Sequence, residues 1–252
     1  MVCRLVIRVA VFGAAGRLGS AVCAAVEDAD DLKLVARVGS ADSRDGAAGA
    51  NVAVDVTRPD AVLDNMRWCV DNRVHVVVGT SGFDEQRLDT VRGWLADRPD
   101  LGVLVVPNFS VGAVLMMRLA AQAAPHFESV EVVELHHPDK VDAPSGTAQR
   151  TAAMIASARA DAGVDAAPDA TRDDPLGARG GRVDGVPVHA LRVRGVTASQ
   201  EVLLGRAGET LSIRHDSHDP AAFVPGVLAA IRAVPSMSGL TVGLDAVLGL
   251  TE

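Results

Sequence analysis

Cysteine is scarce in this chain. Three occur in 252 residues, Cys3, Cys23 and Cys69, far apart, odd in number and with no CxxC pair. That usage argues against a disulfide framework, a zinc ribbon and a thioredoxin-like site. It suits a reducing compartment, so the cytoplasm is the expected location. No run of about eighteen uninterrupted apolar residues occurs, so no membrane span is expected. The opening "MVCRLVIRVAVFG" has the apolar character of an export signal. Arg4 and Arg8 interrupt it, however, and it runs into a glycine-rich turn, so it reads as a buried strand. Positive charge is also short: 24 Lys and Arg against 32 Asp and Glu give a net charge of -8. The arginines are scattered, so neither nucleic acid nor a membrane surface is an expected partner. An anionic ligand would need a local positive site.

What is present is the composition of a globular protein, 48% hydrophobic and 22% charged. The first hundred residues repeat a short β-branched run, a turn and a helical pattern. Strands are expected at 6–12, 32–38, 51–56, 74–80 and 102–108, and helices at 17–28, 59–73 and 84–98, with Pro59 in a first helical turn and Thr57 as its cap. Alternating β and α elements with nearly unbroken apolar strands imply a parallel sheet covered by helices on both faces. After Asn108 the pattern changes to a helix, a half-buried strand "SVEVVELHH", a second helix, and a polar stretch at 163–187 read as a long loop. The runs "VPVHALRVRG", "QEVLLG" and "ETLSIRHDS" then read as antiparallel strands. The expected class is α/β: a Rossmann-type doubly wound sheet from 1–107 and 222–252, plus an α+β domain from 108–221.

"VAVFGAAGRLGS" places Gly13, Gly16 and Gly19 between the first strand and the first helix. Such glycines permit a tight turn, close approach of backbone to a pyrophosphate and close helix-to-strand contact. They also fit a purely structural turn. The acid that would bind a ribose is expected about twenty residues on, yet "ARVGSADSR" offers Arg37 and Arg44, with Asp42 the nearest acid. Arginines there either attract a 2′-phosphate or merely solvate a loop. Gly79, Thr80, Ser81 and Pro107 through Ser110 end later strands, where an open parallel sheet lines its ligand crevice.

The densest polar stretch is "ELHHPDKVDAPSGTA", 134–148. With the strand alternating through Val130, Val132, Val133 and Leu135, His136 and His137 leave its end on opposite sides. Lys140 follows on a loop, and Ser145 or Thr147 is suited to cap the next helix. A helix N-terminus beside an ammonium favours a carboxylate, and histidine and lysine can move protons. The same residues also fit a polar hinge. A metal at His136, His137, Asp139 and Asp142 matches no common ligand spacing, and none is expected.

"FGAAGRLG", "DVTRPD", "VVGTSGF", "PNFSVGAVL", "ELHHPDKVDAPSGTA", "GETLSIRHDS" and "FVPGVLAAIR", in order over nearly the whole chain, resemble the dihydrodipicolinate reductase family, now called 4-hydroxy-tetrahydrodipicolinate reductase, of bacterial lysine and diaminopimelate synthesis. The resemblance implies hydride transfer from NADPH or NADH to a cyclic unsaturated dicarboxylate. It implies a substrate-binding domain whose sheet assembles a homotetramer. It assigns catalysis to His136 and Lys140 and substrate contacts to His137, Gly146 and Thr147. Cofactor contacts fall on Gly13, Ala14, Ala15, Gly16, Arg17 and Leu18, on Gly79, Thr80 and Ser81, and on Pro107, Asn108, Phe109 and Ser110. The chain departs from the family where an acid is common, at the end of the second strand. A dinucleotide sensor or an amino-acid dehydrogenase of similar architecture would share the sheet, but a sensor would not need the His–Lys segment.

Overall fold

A computed structural model describes residues 6–250; Cys3 and Arg4 lie outside the described residues. The chain divides into two compact units, one ending at Val111 and resuming at Pro220, the other Gly112–Asp219.

The first unit is built on β1 (Ile7–Phe12), α1 (Arg17–Asp28), β2 (Leu32–Val38), β3 (Val52–Asp55), α2 (Val62–Asp71), β4 (His75–Val78), α3 (Glu85–Leu95) and β5 (Gly102–Val105). The strands pair in parallel, because each is followed by a helix that carries the chain back across the sheet. Val9, Val11, Val52, Val54, Val77, Val103 and Leu104 are all fully buried. Neighbouring residues of a strand point to opposite faces, so continuous apolar runs mean that both faces are covered. Each such side chain contributes roughly 1.5–3 kcal/mol of transfer free energy.

The start of α2 differs from expectation. The helix begins at Val62 after Ala61, with no side-chain cap, and Pro59 lies before it. Thr57 does not cap it because its hydroxyl donates to Asp55 Oδ1 at 2.6 Å.

The β1–α1 turn is closed by backbone. Gly13 N donates to Val38 O at 2.8 Å, and Gly16 N to Gly13 O at 3.0 Å. Gly13 has φ +80, a conformation other residues rarely adopt, and a Cβ there would stand 2.9 Å from Val56 O. At Gly19 a Cβ would stand 2.1 Å from Gly13 O, so only glycine lets α1 sit this close to the turn.

The second unit opens with α4 (Val111–Ala123), β6 (Ser129–His136) and α5 (Gly146–Asp161), followed by β7 (Gly181–Val183), β8 (Val186–Arg192), β9 (Ala198–Arg206) and β10 (Glu209–Ser217). The sheet order is β10-β9-β6-β8-β7. Here the sequence reading needs correction. β9 and β10 form the expected antiparallel hairpin, but β8 does not pair with β9; it lies on the other side of β6 and runs parallel to it. The connection from β6 to β8 runs through α5, the stretch after it and β7, which gives it the length a parallel pairing needs. β7 falls inside the stretch read as loop. It joins β8 through Asp184 and Gly185, both with positive φ as a two-residue hairpin turn requires. The rest of that stretch is tied down by Arg179, which bonds Glu131 at 2.5 Å and Asp169 at 3.4 Å. Val130, Val132, Ile155, Val188, Val202 and Leu204 form the core between sheet and α5.

The chain then returns to the first unit through α6 (Val224–Ala233) and β11 (Gly239–Val242), which pairs in parallel with β5 and completes a six-stranded sheet. No helix among the described residues is long and apolar enough to cross a membrane.

Two outcomes are expected. Gly19→Ala forces the helix off the turn and should destabilise the protein by about 1–3 kcal/mol; a thermal midpoint equal to that of the parent would contradict the packing described. Burial also pushes His75 and His215 below the ordinary imidazole value of 6.5. His75 needs its Nδ1 lone pair, since Gly102 N donates to it at 3.0 Å. As pH falls, the unfolded chain takes up protons before the folded one does. Their contribution is therefore complete above about pH 6.5 and declines below it. The urea midpoint should be lower at about pH 5.5 than at about pH 7.5, and equal midpoints would count against this.

Candidate active site

In the first unit a cleft of about 550 Å³ opens at the carboxyl ends of β1, β2 and β3. Gly13, Ala15 and Gly16 form one wall, Gly39, Ser40, Asp42 and Arg44 another, and Thr57, Arg58 and Asn65 a third. Ala14 is buried in the turn, while Arg17 and Leu18 begin α1. No side chain caps α1. Its first-turn N–H groups lack intrahelical partners, and with the helix dipole they make this wall suited to a phosphate.

The loops around the cleft are organised by one buried acid. Asp55, 1% exposed, accepts from Thr57 N and Oγ1, from Thr80 Oγ1 at 3.0 Å and from Asn65 Nδ2 at 2.8 Å. Asn65 in turn accepts from Arg44 Nε at 2.7 Å, which fixes this guanidinium at the cleft. Arg37 is placed differently. It forks onto Glu27 at 2.8 Å and is not among the lining residues, so of the two arginines only Arg44 reaches the cleft. Asp42 Oδ2 is engaged by Gly39 N at 2.8 Å.

Gly79, Thr80, Ser81 and Pro107 through Ser110 do not line this cleft. They follow β4 and β5 in the same sheet. Phe109 is buried with its ring so near Gly79 that a Cβ there would stand 2.4 Å from it. Asn108 Oδ1 accepts from Ser110 N at 2.8 Å.

In the second unit, β6 alternates differently from the sequence reading. Its buried face is Val130, Val132 and Glu134, not Val133 and Leu135, and Glu134 is 0% exposed. His136 shares that face, and its Nδ1 lies 2.5 Å from Glu134 Oε2. Arg192, paired with His136 in the β6–β8 register, donates to both Glu134 oxygens at 3.0 Å and to Asp142 O at 2.6 Å. Ser145 N donates to Glu134 Oε1, and Ser145 Oγ caps α5 by accepting from Ala148 N, both at 3.2 Å. Gly146 and Thr147 open that helix. Lys140 is 20% exposed and donates to Asp142 Oδ1 at 2.7 Å. His137 is more open, its Nδ1 3.9 Å from Asp139.

The charges respond to one another. Burial pushes the Glu134 carboxyl up, but hydrogen bonds from Arg192 and His136 outweigh it and leave the group below its ordinary range. Burial lowers His136, and Lys140 and Arg192 lower it further against the opposing pull of Glu134. The imidazole is therefore neutral near neutral pH and can gain a proton when negative charge arrives. The structure thus brings His136, Lys140 and the start of α5 into one constellation. Glu134 and Arg192 belong to it and were not singled out from the sequence. A charged residue two positions before His136, in step with Val130 and Val132, was the available signal for Glu134.

Residues 7–109 match the family model described as Dihydrodipicolinate reductase, N-terminus, and residues 112–248 match its C-terminus. The 4-hydroxy-tetrahydrodipicolinate reductase of Cutibacterium acnes is 57% identical over 244 residues, covering 97% of this chain and 99% of its own. That of Nocardia farcinica is 57% identical over 248 residues, 98% and 100% of the two chains. A solved structure, the dipicolinate-bound dihydrodipicolinate reductase from Paenisporosarcina sp. TG-14, is 33% identical with a TM-score of 0.84, covering 96% of this chain and 99% of that one. With both family models matched in order and the constellation around His136 formed, the chain belongs to the dihydrodipicolinate reductase family and is an oxidoreductase.

Proposed function

We propose that the chain reduces 4-hydroxy-tetrahydrodipicolinate to tetrahydrodipicolinate with NADPH or NADH, releasing water, in the diaminopimelate route of lysine biosynthesis. The observation that carries this reading is the grouping of His136, Lys140 and the α5 N-terminus around buried Glu134.

The first unit fits a dinucleotide. The glycine cradle, the uncapped N-terminus of α1 and the cleft with Arg44 on its wall are the features a pyrophosphate and an adenosine ribose need. Gly13 through Leu18 would hold the phosphates, with Gly79–Ser81 and Pro107–Ser110 as further contacts. When bound, the reduced nicotinamide supplies a hydride.

The protein's own part is capture and proton handling. Lys140, His137 and the Gly146–Thr147 helix start would hold the two carboxylates against the chain's net negative charge. Loss of the substrate hydroxyl with a proton from the neighbouring carbon would release water and leave a conjugated ring; hydride addition to that ring leaves an electron-rich carbon, and His136 and Lys140 are the groups that would deliver its proton. The same reading includes a homotetramer, supported by the half-exposed Leu191 on β8 and Leu203 on β9, both on the sheet face turned away from α5. It also includes a cytoplasmic location, supported by the free thiols of Cys23 and Cys69.

Lys140→Ala is expected to lower kcat by about a hundredfold to ten-thousandfold in steady-state assays with fresh substrate; near-normal turnover would remove the lysine from the mechanism. For the cofactor, NADPH should be used at least as readily as NADH. Arg44→Ala should raise KM for NADPH roughly tenfold, as loss of a charge-assisted bond implies, while leaving NADH little changed. A strong preference of the parent enzyme for NADH, or an equal loss with both cofactors, would sink that assignment.

A further inference from the structure

Four groups bear on the His136 ring: Glu134 on its own strand, Arg192 on β8, and Lys140 with Asp142 on the following loop. Only Glu134 is fully buried, and it meets the ring through Nδ1. A carboxylate can only accept, so Nδ1 must carry the hydrogen, and Nε2 is left as the proton-exchanging atom. Arg192 grips two things at once. Its guanidinium binds Glu134 with both arms and holds the carbonyl of Asp142, the residue whose side chain accepts from Lys140.

We propose that Glu134 and Arg192 are positioning residues of the reductase site, with separate tasks. Glu134 fixes the ring and tautomer of His136, so that Nε2 is the atom presented for proton transfer. Arg192 tethers the loop at 137–144, and through it Lys140, to the end of β6. The proposal rests on the function assigned above to His136 and Lys140, but its geometry is testable without that function.

The two tasks predict different kinetic signatures. Loss of Glu134 disturbs the proton-transfer group and should fall on kcat. Loss of the Arg192 fork loosens the cation that receives a carboxylate and should fall on KM. Glu134→Gln also removes the one carboxylate that touches the ring among the described residues, leaving Lys140 and Arg192 to repel a proton, so the His136 titration should move to lower pH.

The experiment uses the full chain and five proteins: the parent, Glu134→Gln, Glu134→Asp, Arg192→Lys and the double variant Glu134→Gln/Arg192→Gln. Nitrogen-detected imidazole spectra of the free protein read the tautomer and titration of His136. The parent is expected to show the Nδ1–H tautomer. Glu134→Gln should show a mixture and a lower titration midpoint, with partial return in Glu134→Asp. An Nε2–H tautomer in the parent, or an unchanged spectrum in Glu134→Gln, overturns the Glu134 assignment. Glu134→Gln leaves a guanidinium without its counter-ion; if that variant does not fold, the double variant, with neither charge, is read for the tautomer alone, and an unchanged Nδ1–H tautomer in it overturns the Glu134 assignment.

Kinetically, Glu134→Gln should lose roughly tenfold to a hundredfold in kcat, as loss of an orienting carboxylate does elsewhere. Arg192→Lys should mainly raise KM for the diacid, with the His136 tautomer kept. Native-state trypsin cleavage after Lys140, beside the exposed Val141, should rise in Arg192→Lys. Unchanged KM and unchanged cleavage overturn the Arg192 assignment. If the parent does not turn over the diacid but the tautomer and cleavage results hold, the proposed function fails and the positioning roles stand.

Discussion

A carboxylate removed completely from water lies where β6 ends, and the polar segment after that strand takes its form from it. An ion so buried is tolerated only when partners replace its hydration. Glu134 draws those partners from three elements: the ring of His136 on β6, the fork of Arg192 on β8 and the amide of Ser145 at the start of α5. The segment between His136 and Ser145 is therefore anchored at both ends by one side chain, and Arg192 adds a grip in the middle at Asp142. Breaking such an arrangement from one side typically costs about 3–5 kcal/mol, which is why it holds one geometry. Asp55 does comparable work in the first unit, gathering Thr57, Thr80 and Asn65 at the end of β3.

The cations near His136 are not equivalent. Arg192 faces a fully buried carboxylate and is committed to it. Lys140, itself 20% exposed, faces Asp142, whose side chain is 51% exposed, so water has access to that carboxylate as it has not to Glu134. On the proposed function, an incoming carboxylate would take Lys140 from Asp142 more readily than Arg192 from Glu134. On a chain with a net charge of -8 this ammonium is the local positive charge that the proposed capture of a dicarboxylate would draw on.

Much of this was legible in the sequence, for identifiable reasons. The strands of the first unit announce themselves because burial on both faces demands unbroken apolar runs, and α1 and β2 fall at 17–28 and 32–38 as read. What escaped depends on partners distant in sequence. Whether β8 lies beside β9 or across β6 is decided by the path of the chain from β6 through α5 and β7, which the strand's own residues do not encode. The Asp184–Gly185 turn carried a local signal for β7, but three residues of strand are too few for a periodic pattern. Thr57 has the right chemistry for a cap and was taken by Asp55, and Arg37 was taken by Glu27.

The adjacent histidines show how strand geometry separates residues that look alike in sequence. Side chains two apart on a strand share a face, so Glu134 can meet His136 and cannot meet His137. The parallel register with β8 then sets Arg192 level with His136. His137 falls beyond the last residue of β6, faces the exposed Asp139 and stays open, with 43% of its side chain accessible against 15% for His136. Parity alone therefore gives one imidazole a buried counter-ion while leaving the other open to solvent, so exchanging their surroundings would require shifting the strand by one residue and turning Val130 and Val132 out of the core.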